Sequence, residues 1–242
     1  MSLKNLNLNN RKLWAIIPAA GTGSRFSKSD LKQYQMIQEQ TVLEHTIQRI
    51  TQLPISGYVL TISESDEFAR TLNFPNTEQL HFCAGGKERV DSVLNGLKYL
   101  TQIAGPDDLV FVHDAARPCV SHANLISLVE HAIKHETSAI LAIPVRDTLK
   151  RVEQSQRIEN TVDRSALWQA QTPQISTVAK LKTAIEHALS NQLNITDEAS
   201  ALEFSNYPVD VVLGRSDNIK ITYPEDLELA QLILKSQLEI KN

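Results

Sequence analysis

The chain has 242 residues, of which 42% are hydrophobic and 21% charged, a composition typical of a globular protein with a full apolar core. Its 24 basic and 28 acidic side chains give a formal charge of −4, which argues against a surface that coats nucleic acid. No apolar run reaches the roughly 18 residues of a membrane span, and the 2 cysteines do not make a secreted disulfide framework, so we expect a cytoplasmic protein without nucleic-acid or membrane partners.

The predicted elements begin after residues 1–12, a polar extension that lacks the hydrophobic segment of a signal peptide. Apolar runs bounded by turn residues then predict strands at Leu13–Ile17, Gly57–Ile62, Gln79–Cys83, Leu109–His113, Ala139–Val145, Val209–Leu213 and Asn218–Thr222. Amphipathic helices fall between them, with a capping box at Thr41-x-x-Glu44 and a candidate cap at Ser121. Alternating strands and helices predict an α/β fold with a mostly parallel, doubly wound sheet.

The first strand runs into a loop of small residues, Ala19-Ala-Gly-Thr-Gly-Ser24, followed by Arg25 and Lys32. Such a loop lets backbone N–H groups approach an anion closely, and the two cations add positive charge beside it. These features indicate a nucleoside triphosphate site, although a loop of this kind also serves simply to turn the chain. The dinucleotide pattern G-x-G-x-x-G is not met, because Phe26 stands where its third glycine belongs, and the P-loop pattern is absent.

Further polar clusters also follow strands, at the edge where parallel sheets bind their ligands. The paired glycines of Gly85-Gly-Lys-Glu-Arg89 lead into a helix N-terminus, where Ser92 either contacts a ligand or caps the helix. Asp114 follows the fourth strand and suits Mg²⁺ held against phosphates, or alternatively pairs with Arg117. Lys220 either reaches this edge or is a solvated surface residue. Cations, backbone amides and one or two carboxylates suit phosphoryl or nucleotidyl transfer.

One segment, residues 146–174, breaks the alternation of strands and helices. Two polar extended stretches, 148–152 and 157–162, flank Glu153-Gln-Ser-Gln156 and predict a hairpin that projects from the sheet. Such an arm has too small a core to be stable alone, so we expect it to pack on a second subunit.

Taken in order, these clusters resemble the 2-C-methyl-D-erythritol 4-phosphate cytidylyltransferase family over residues 13 to the last helix. The matching motifs are Pro18-Ala-Ala-Gly-x-Gly-x-Arg25, Lys32-Gln-Tyr34, Gly85-Gly-x-x-Arg89-x-x-Ser92, His113-Asp-Ala-Ala-Arg-Pro118, Pro144-Val-Arg-Asp-Thr148, Thr161-Val-Asp-Arg164, Leu167-Trp-x-x-Gln171-Thr-Pro-Gln174, Thr196-Asp-Glu-Ala-Ser200 and Asp217-Asn-Ile-Lys220. Each motif is weak by itself, but the ordered set is specific.

The resemblance implies a single Rossmann-like nucleotidyltransferase domain over residues 13–242, with a β-arm at about 146–174 that forms a homodimer. It implies transfer of CMP from CTP to 2-C-methyl-D-erythritol 4-phosphate with Mg²⁺ and release of pyrophosphate, in non-mevalonate isoprenoid synthesis. The implied catalytic cations are Arg25 and Lys32. The implied nucleotide-binding residues are Ala19, Ala20, Gly21, Gly23, Gly86, Lys87, Arg89, Ser92 and Ala115. The implied residues that position the sugar-alcohol phosphate are Arg117, Thr148, Arg164 and Lys220, with Thr148 and Arg164 acting in the neighbouring subunit's site. Asp114 is the implied metal ligand, with Asp217 as a second candidate.

Two alternatives stay open beside this family. A related cytidylyltransferase acting on ribitol 5-phosphate would share the fold and the cations. A non-catalytic nucleotide-binding module would share the fold. The presence together of Arg25, Lys32, Asp114, Arg164 and Lys220 speaks against it, because such a module would not require the arm residues.

Overall fold

A computed structural model describes residues 6–21, 26 and 31–239. The strands are β1 Leu13–Pro18, β2 Met36–Ile37, β3 Gln40–Thr41, β4 Gly57–Ile62, β5 Leu80–Ala84, β6 Leu109–Val112, β7 Ser138–Pro144, β8 Leu149–Val152, β9 Ile158–Val162, β10 Trp168–Thr177 and β11 Val209–Leu213. The helices are α1 Val42–Ile50, α2 Arg89–Leu100, α3 His122–His135, α4 Val178–Ser190, α5 Glu198–Phe204 and α6 Glu225–Glu239, and a 3₁₀ turn covers Lys32–Tyr34.

Seven strands form one mixed sheet in the order β11-β7-β10-β6-β1-β4-β5. The pairs of β1 with β4 and β6, of β4 with β5 and of β7 with β11 are parallel, whereas β10 runs antiparallel to both its neighbours. The prediction of a Rossmann-like, mostly parallel α/β sheet is therefore confirmed. The carboxyl ends of β1, β5 and β6 meet at one edge, where the candidate site lies.

Both faces of the sheet are covered, so its central strands are almost completely buried. Apolar residues of α1 and α3 pack on one face, and those of α2, α4 and α5 pack on the other. Two predicted caps are present at helix starts. The backbone N–H of Glu44 donates to Thr41 Oγ1 at 3.2 Å, and that of Asn124 donates to Ser121 Oγ at 3.2 Å. Caps of this kind typically contribute about 1 kcal/mol each.

The strand predicted at Asn218–Thr222 is wrong, because this segment is irregular. Its polar groups bond to side chains and loops instead of a neighbouring strand. The Asn218 amide donates to Thr172 O at 2.9 Å, and the Ile221 N–H donates to Ala116 O at 2.9 Å.

The predicted arm is shorter than 146–174. β8 and β9 form a separate two-stranded hairpin, but Trp168–Thr177 is a strand of the main sheet. Its second half is buried, including Gln171, Thr172 and Gln174. The sequence analysis did not predict this strand because its residues are polar. These side chains are nevertheless buried, since they satisfy their hydrogen bonds inside the protein.

Among the helices of the described residues, none is both long and apolar enough to cross a membrane.

Candidate nucleotide-binding cleft

A cleft of about 290 Å³ opens at the carboxyl edge of the sheet, between the loops that follow β1, β5 and β6. Its walls are Pro18, Ala19, Ala20, Gly21, Lys32, Gln33, Gly86, Lys87, Glu88, Arg89, Ser92, Asp114, Ala115, Ala116, Lys220 and Thr222. Most of the residues predicted from separate loops thus meet at one site. Gly23 and Arg25, also predicted to act there, lie outside the described residues.

The loops after β1 and β5 approach each other closely. A Cβ atom at Gly85 would overlap the Cβ of Ala20, and one at Gly86 would overlap the Cβ of Asp91. Within the described part of the chain, the N–H groups of Ala20 and Lys87 have no hydrogen-bond acceptor. Glycine therefore permits the close loop contact, and backbone donors remain available to an anion.

Ser92 organises the loop before α2. Its Oγ accepts from the Gly86 N–H at 3.0 Å and donates to Glu88 O at 3.2 Å. The N-cap of this helix is Glu88, and the carboxylate of Asp91 in the first turn accepts from the Glu88 N–H at 2.9 Å. Ser92 thus holds the shape of the Gly86 wall, and the cap of α2 is formed by Glu88 together with Asp91.

Asp114 lies at the centre of a cluster of three cations. One carboxylate oxygen accepts from Arg89 Nε at 2.9 Å, and the other contacts Lys220 Nζ at 2.8 Å and Arg117 Nε at 3.4 Å. Burial raises the pKa of the Asp114 carboxyl, but the charges of Arg89, Lys220 and Arg117 outweigh it and hold that pKa well below its ordinary value. The carboxylate is therefore ionised at neutral pH and fixes the three cations.

Glu198 holds the other side of Arg89. Its two oxygens accept from Arg89 Nη1 at 2.6 Å and Nη2 at 3.1 Å, a bidentate pair in which the Glu198 side chain is 3% exposed. Burial lowers the pKa of Arg89, but Glu198 and Asp114 more than offset this and raise it. The guanidinium predicted to bind nucleotide is thus already held by two carboxylates, although Arg89 lines the cleft.

Arg117 lies behind Asp114 and is not one of the cleft walls. Its Nη1 donates to Asn218 O at 2.7 Å, which ties the loop after β6 to the irregular segment that carries Lys220. Burial lowers the pKa of Arg117. Its guanidinium braces the site and does not face the cavity.

His113, interpreted from sequence as structural, supports Asp114 through a chain of hydrogen bonds. Its Nε2 lies 3.0 Å from the carbonyl oxygen of Arg117, so this nitrogen carries the proton. Nδ1 then accepts from the Thr172 hydroxyl at 2.9 Å, and Thr172 Oγ1 accepts from the Asp114 N–H at 3.0 Å. Burial lowers the pKa of His113 to about 4, which keeps the ring neutral.

Residues that the sequence interpretation did not assign to the site include Gln33, Thr172, Gln174 and Glu198. Gln174 connects β10 to α5, since its Nε2 donates to Asp197 at 2.9 Å and its Oε1 accepts from the Ala199 N–H at 2.8 Å. All four fall inside the quoted motifs. The sequence signal available for them was a run of polar residues, since polar side chains that are buried must be hydrogen-bonded.

Thr148 and Arg164 do not reach the cleft of their own chain. Thr148 precedes β8 and Arg164 follows β9, and both are exposed. The hairpin between them also exposes apolar side chains, with Val152 at 56% and Ile158 at 57%.

The carboxylates predicted to bind Mg²⁺ do not fit a metal held by the protein. Both oxygens of Asp114 contact cations, and Asp217 accepts from Arg215 at 2.7 to 3.1 Å. No group of three or more His, Cys, Asp or Glu residues in the described ranges has metal-binding geometry.

An α/β sheet with exposed backbone donors and clustered cations at its carboxyl edge defines an enzyme-like nucleotide site of the nucleotidyltransferase class. The sequence profile of the 2-C-methyl-D-erythritol 4-phosphate cytidylyltransferase (IspD) family matches residues 13–236. The chain belongs to this family. It is therefore a cytidylyltransferase, and CTP-dependent transfer to 2-C-methyl-D-erythritol 4-phosphate in isoprenoid synthesis is the reaction of the family.

Individual relatives agree with this assignment. The chain is 66% identical over 226 residues to the 2-C-methyl-D-erythritol 4-phosphate cytidylyltransferase of Acinetobacter baumannii strain SDF, covering 93% of this chain and 95% of the relative. A crystal structure of the Francisella tularensis enzyme of that name superposes with a TM-score of 0.80 at 36% identity, covering 92% and 99% of the two chains. A solved 4-diphosphocytidyl-2C-methyl-D-erythritol synthase gives a TM-score of 0.81 at 38% identity, covering 93% and 99%.

Proposed function

We propose that the cleft binds CTP against the loops after β1 and β5, and that Lys32, Lys220 and Arg25 neutralise the phosphates during the reaction. The phosphate oxygen of the sugar-alcohol phosphate attacks the α-phosphorus of CTP and forms a new P–O bond. The bond from the α-phosphorus to its bridging oxygen breaks, and pyrophosphate leaves with that electron pair. The observation that carries this proposal is the Asp114 cluster beside free backbone donors in one cleft.

Electrostatic preorganisation is the physical basis of catalysis in this proposal. A cation that already points at the position of developing charge needs no rearrangement during the reaction. Asp114 holds Lys220 at 2.8 Å, and the Lys220 side chain remains 33% exposed at the cleft. Lys32 also lines the cleft, so phosphates bound there would meet both lysine side chains.

Magnesium enters this proposal as part of the Mg·CTP substrate. The triphosphate oxygens hold the cation, because the Asp114 and Asp217 carboxylates are occupied by arginine and lysine. Mg²⁺ commonly keeps several waters and binds through substrate phosphates. An enzyme that consumes CTP works where the nucleotide pool is, which supports a cytoplasmic location.

The hairpin of β8 and β9 completes the proposal as the contact between two subunits. Val152 and Ile158 are apolar and exposed in the single chain, and burying them against a second copy would remove that surface from water. Thr148 and Arg164 at the base of this hairpin would then bind the sugar-alcohol phosphate in the partner's cleft.

Pyrophosphate release by a Lys32→Met variant tests the catalytic assignment. We expect a loss of turnover of at least ~100-fold with an unchanged melting temperature, because one aligned donor to developing charge is typically worth that factor. Lys98→Met, on the exposed face of α2, is the matched control and retains parental turnover. Parental turnover in the Lys32 variant would refute the role.

A further inference from the structure

Gln33 is a buried polar residue beside the cleft that none of the roles above uses. Its side chain is 3% exposed, and its Nε2 donates to Ala19 O at 2.9 Å and to Gly21 O at 3.3 Å. Both hydrogens of one amide thus bond to the loop after β1. A buried amide with two such partners fixes local geometry, because breaking either bond leaves a carbonyl without a partner.

The first of these bonds sets the direction of a neighbouring donor. In a planar trans peptide the C=O and N–H point to opposite sides. Holding the Ala19 carbonyl toward Gln33 therefore turns the Ala20 N–H away from Gln33. This N–H has no acceptor in residues 6–21, 26 and 31–239, and Ala20 lines the cleft. The Gln33 amide thus controls the orientation of a donor available to a nucleotide.

Gln33 also belongs to the turn that carries Lys32. The 3₁₀ turn Lys32–Tyr34 is closed by a hydrogen bond from the Gln35 N–H to Lys32 O at 3.3 Å. On the far side, the Tyr34 hydroxyl donates to the Asp66 carboxylate, and its ring packs edge-on against Phe68 with centroids 5.0 Å apart. The backbone of Lys32 is therefore held through Gln33 on one side and Tyr34 on the other.

We propose that Gln33 is a positioning residue that locks the nucleotide-binding loop to the turn bearing Lys32. Its single amide couples two walls of the cleft, so the backbone donor at Ala20 and the ammonium group of Lys32 keep a fixed spacing for the triphosphate. This role rests on the proposed function, because it requires CTP to bind in this cleft.

Gln33→Met tests the role, since methionine is close in length but has no amide. Calorimetric titration with Mg·CTP should show affinity weakened at least ~10-fold, the effect of one to two lost hydrogen bonds in a buried site. The KM for CTP should rise and kcat should fall, while the KM for the sugar-alcohol phosphate stays within about twofold. Gln33→Glu should be weaker still, because a carboxylate would face two carbonyl oxygens.

Gln35→Met is the matched control, with the same substitution two residues further along. Among the described residues, the side-chain amide of Gln35 donates only to Leu31 O, at 3.5 Å, and Gln35 is not one of the cleft walls. This variant should keep parental affinity and turnover. If Gln33→Met does not fold, Gln33→Asn replaces it. Asparagine keeps the amide on a side chain one methylene shorter, so its loss of CTP affinity should be intermediate.

Two results would overturn the role. One is a folded Gln33→Met protein with parental affinity for CTP. The other is equal losses in Gln33→Met and Gln33→Glu that follow the fall in melting temperature, which is the behaviour of a purely structural residue. Failure of the proposed function would look different, because the parent itself would then not bind CTP, or would bind it without releasing pyrophosphate.

Discussion

Lowering the pH should destabilise this protein through His113. The ring is completely buried and neutral with a pKa of about 4, whereas a histidine in the unfolded chain has a pKa of about 6.5. Between these two pKa values the unfolded chain binds more protons than the folded protein, so the free energy of unfolding falls as the pH falls. Between pH 7 and pH 5 this difference amounts to about 2 kcal/mol, and the remainder is lost as the pH approaches 4.

Urea denaturation at pH 7 and at pH 5 measures this effect. The parent should lose about 2 kcal/mol of unfolding free energy over the interval through this residue. His113→Gln keeps an amide donor for the carbonyl of Arg117 but cannot titrate, so its loss should be smaller by that amount. His187→Gln, at an exposed position of α4, controls for the removal of a histidine. Equal pH dependence in the parent and His113→Gln would refute the reasoning.

Three further predictions test other parts of the account. Glu198→Gln removes the charge that faces Arg89 and should lower stability by about 3 kcal/mol, seen as a fall of roughly 6 to 12 °C in melting temperature. An unchanged melting temperature would show that the pair contributes little. Arg164→Ala should raise the KM for the sugar-alcohol phosphate at least ~10-fold with little change in CTP affinity, and a selective loss of CTP binding would contradict its placement. Ile158→Asp should convert the dimer into an inactive monomer, as measured by sedimentation. The control Leu232→Asp, at a position of α6 that is 65% exposed, should remain dimeric. Monomers in both variants or in neither would contradict the role of the hairpin in dimerisation.

The parallel core of the fold was predictable from local patterns. β1, β4 and β6 are short apolar runs that are buried on both faces, and such strands carry a continuous hydrophobic signal. The capping box at Thr41 and Glu44 likewise depends only on residues three apart. These features are local, so sequence alone identifies them.

β10 and the Asn218–Thr222 segment could not be assigned in this way. β10 buries Gln171, Thr172 and Gln174 in the middle of the sheet, and their hydrogen-bond partners include residues 23 to 59 positions away in the chain. Asn218–Thr222 has the alternation of a strand, but the hydrogen bonds that hold it go to Thr172 and Ala116. Long-range side-chain bonds decide both segments, and local periodicity does not report them.

The candidate site, like the fold, could be predicted from the sequence only in part. Cations and glycines after strand ends predicted which loops would meet, and the loops after β1, β5 and β6 do meet. The partners of those cations were not predictable. Asp114 is surrounded by Arg89, Arg117 and Lys220, so a residue that suggested a metal ligand serves as the anchor of a cationic cluster.

Pyrophosphate release by the purified parent protein with Mg·CTP is the most direct test of the proposed reaction. Parallel assays would contain 2-C-methyl-D-erythritol 4-phosphate or ribitol 5-phosphate as the second substrate. The account predicts release with the first compound and none above background with the second. Release with ribitol 5-phosphate alone, or with neither compound from protein that binds CTP, would contradict it.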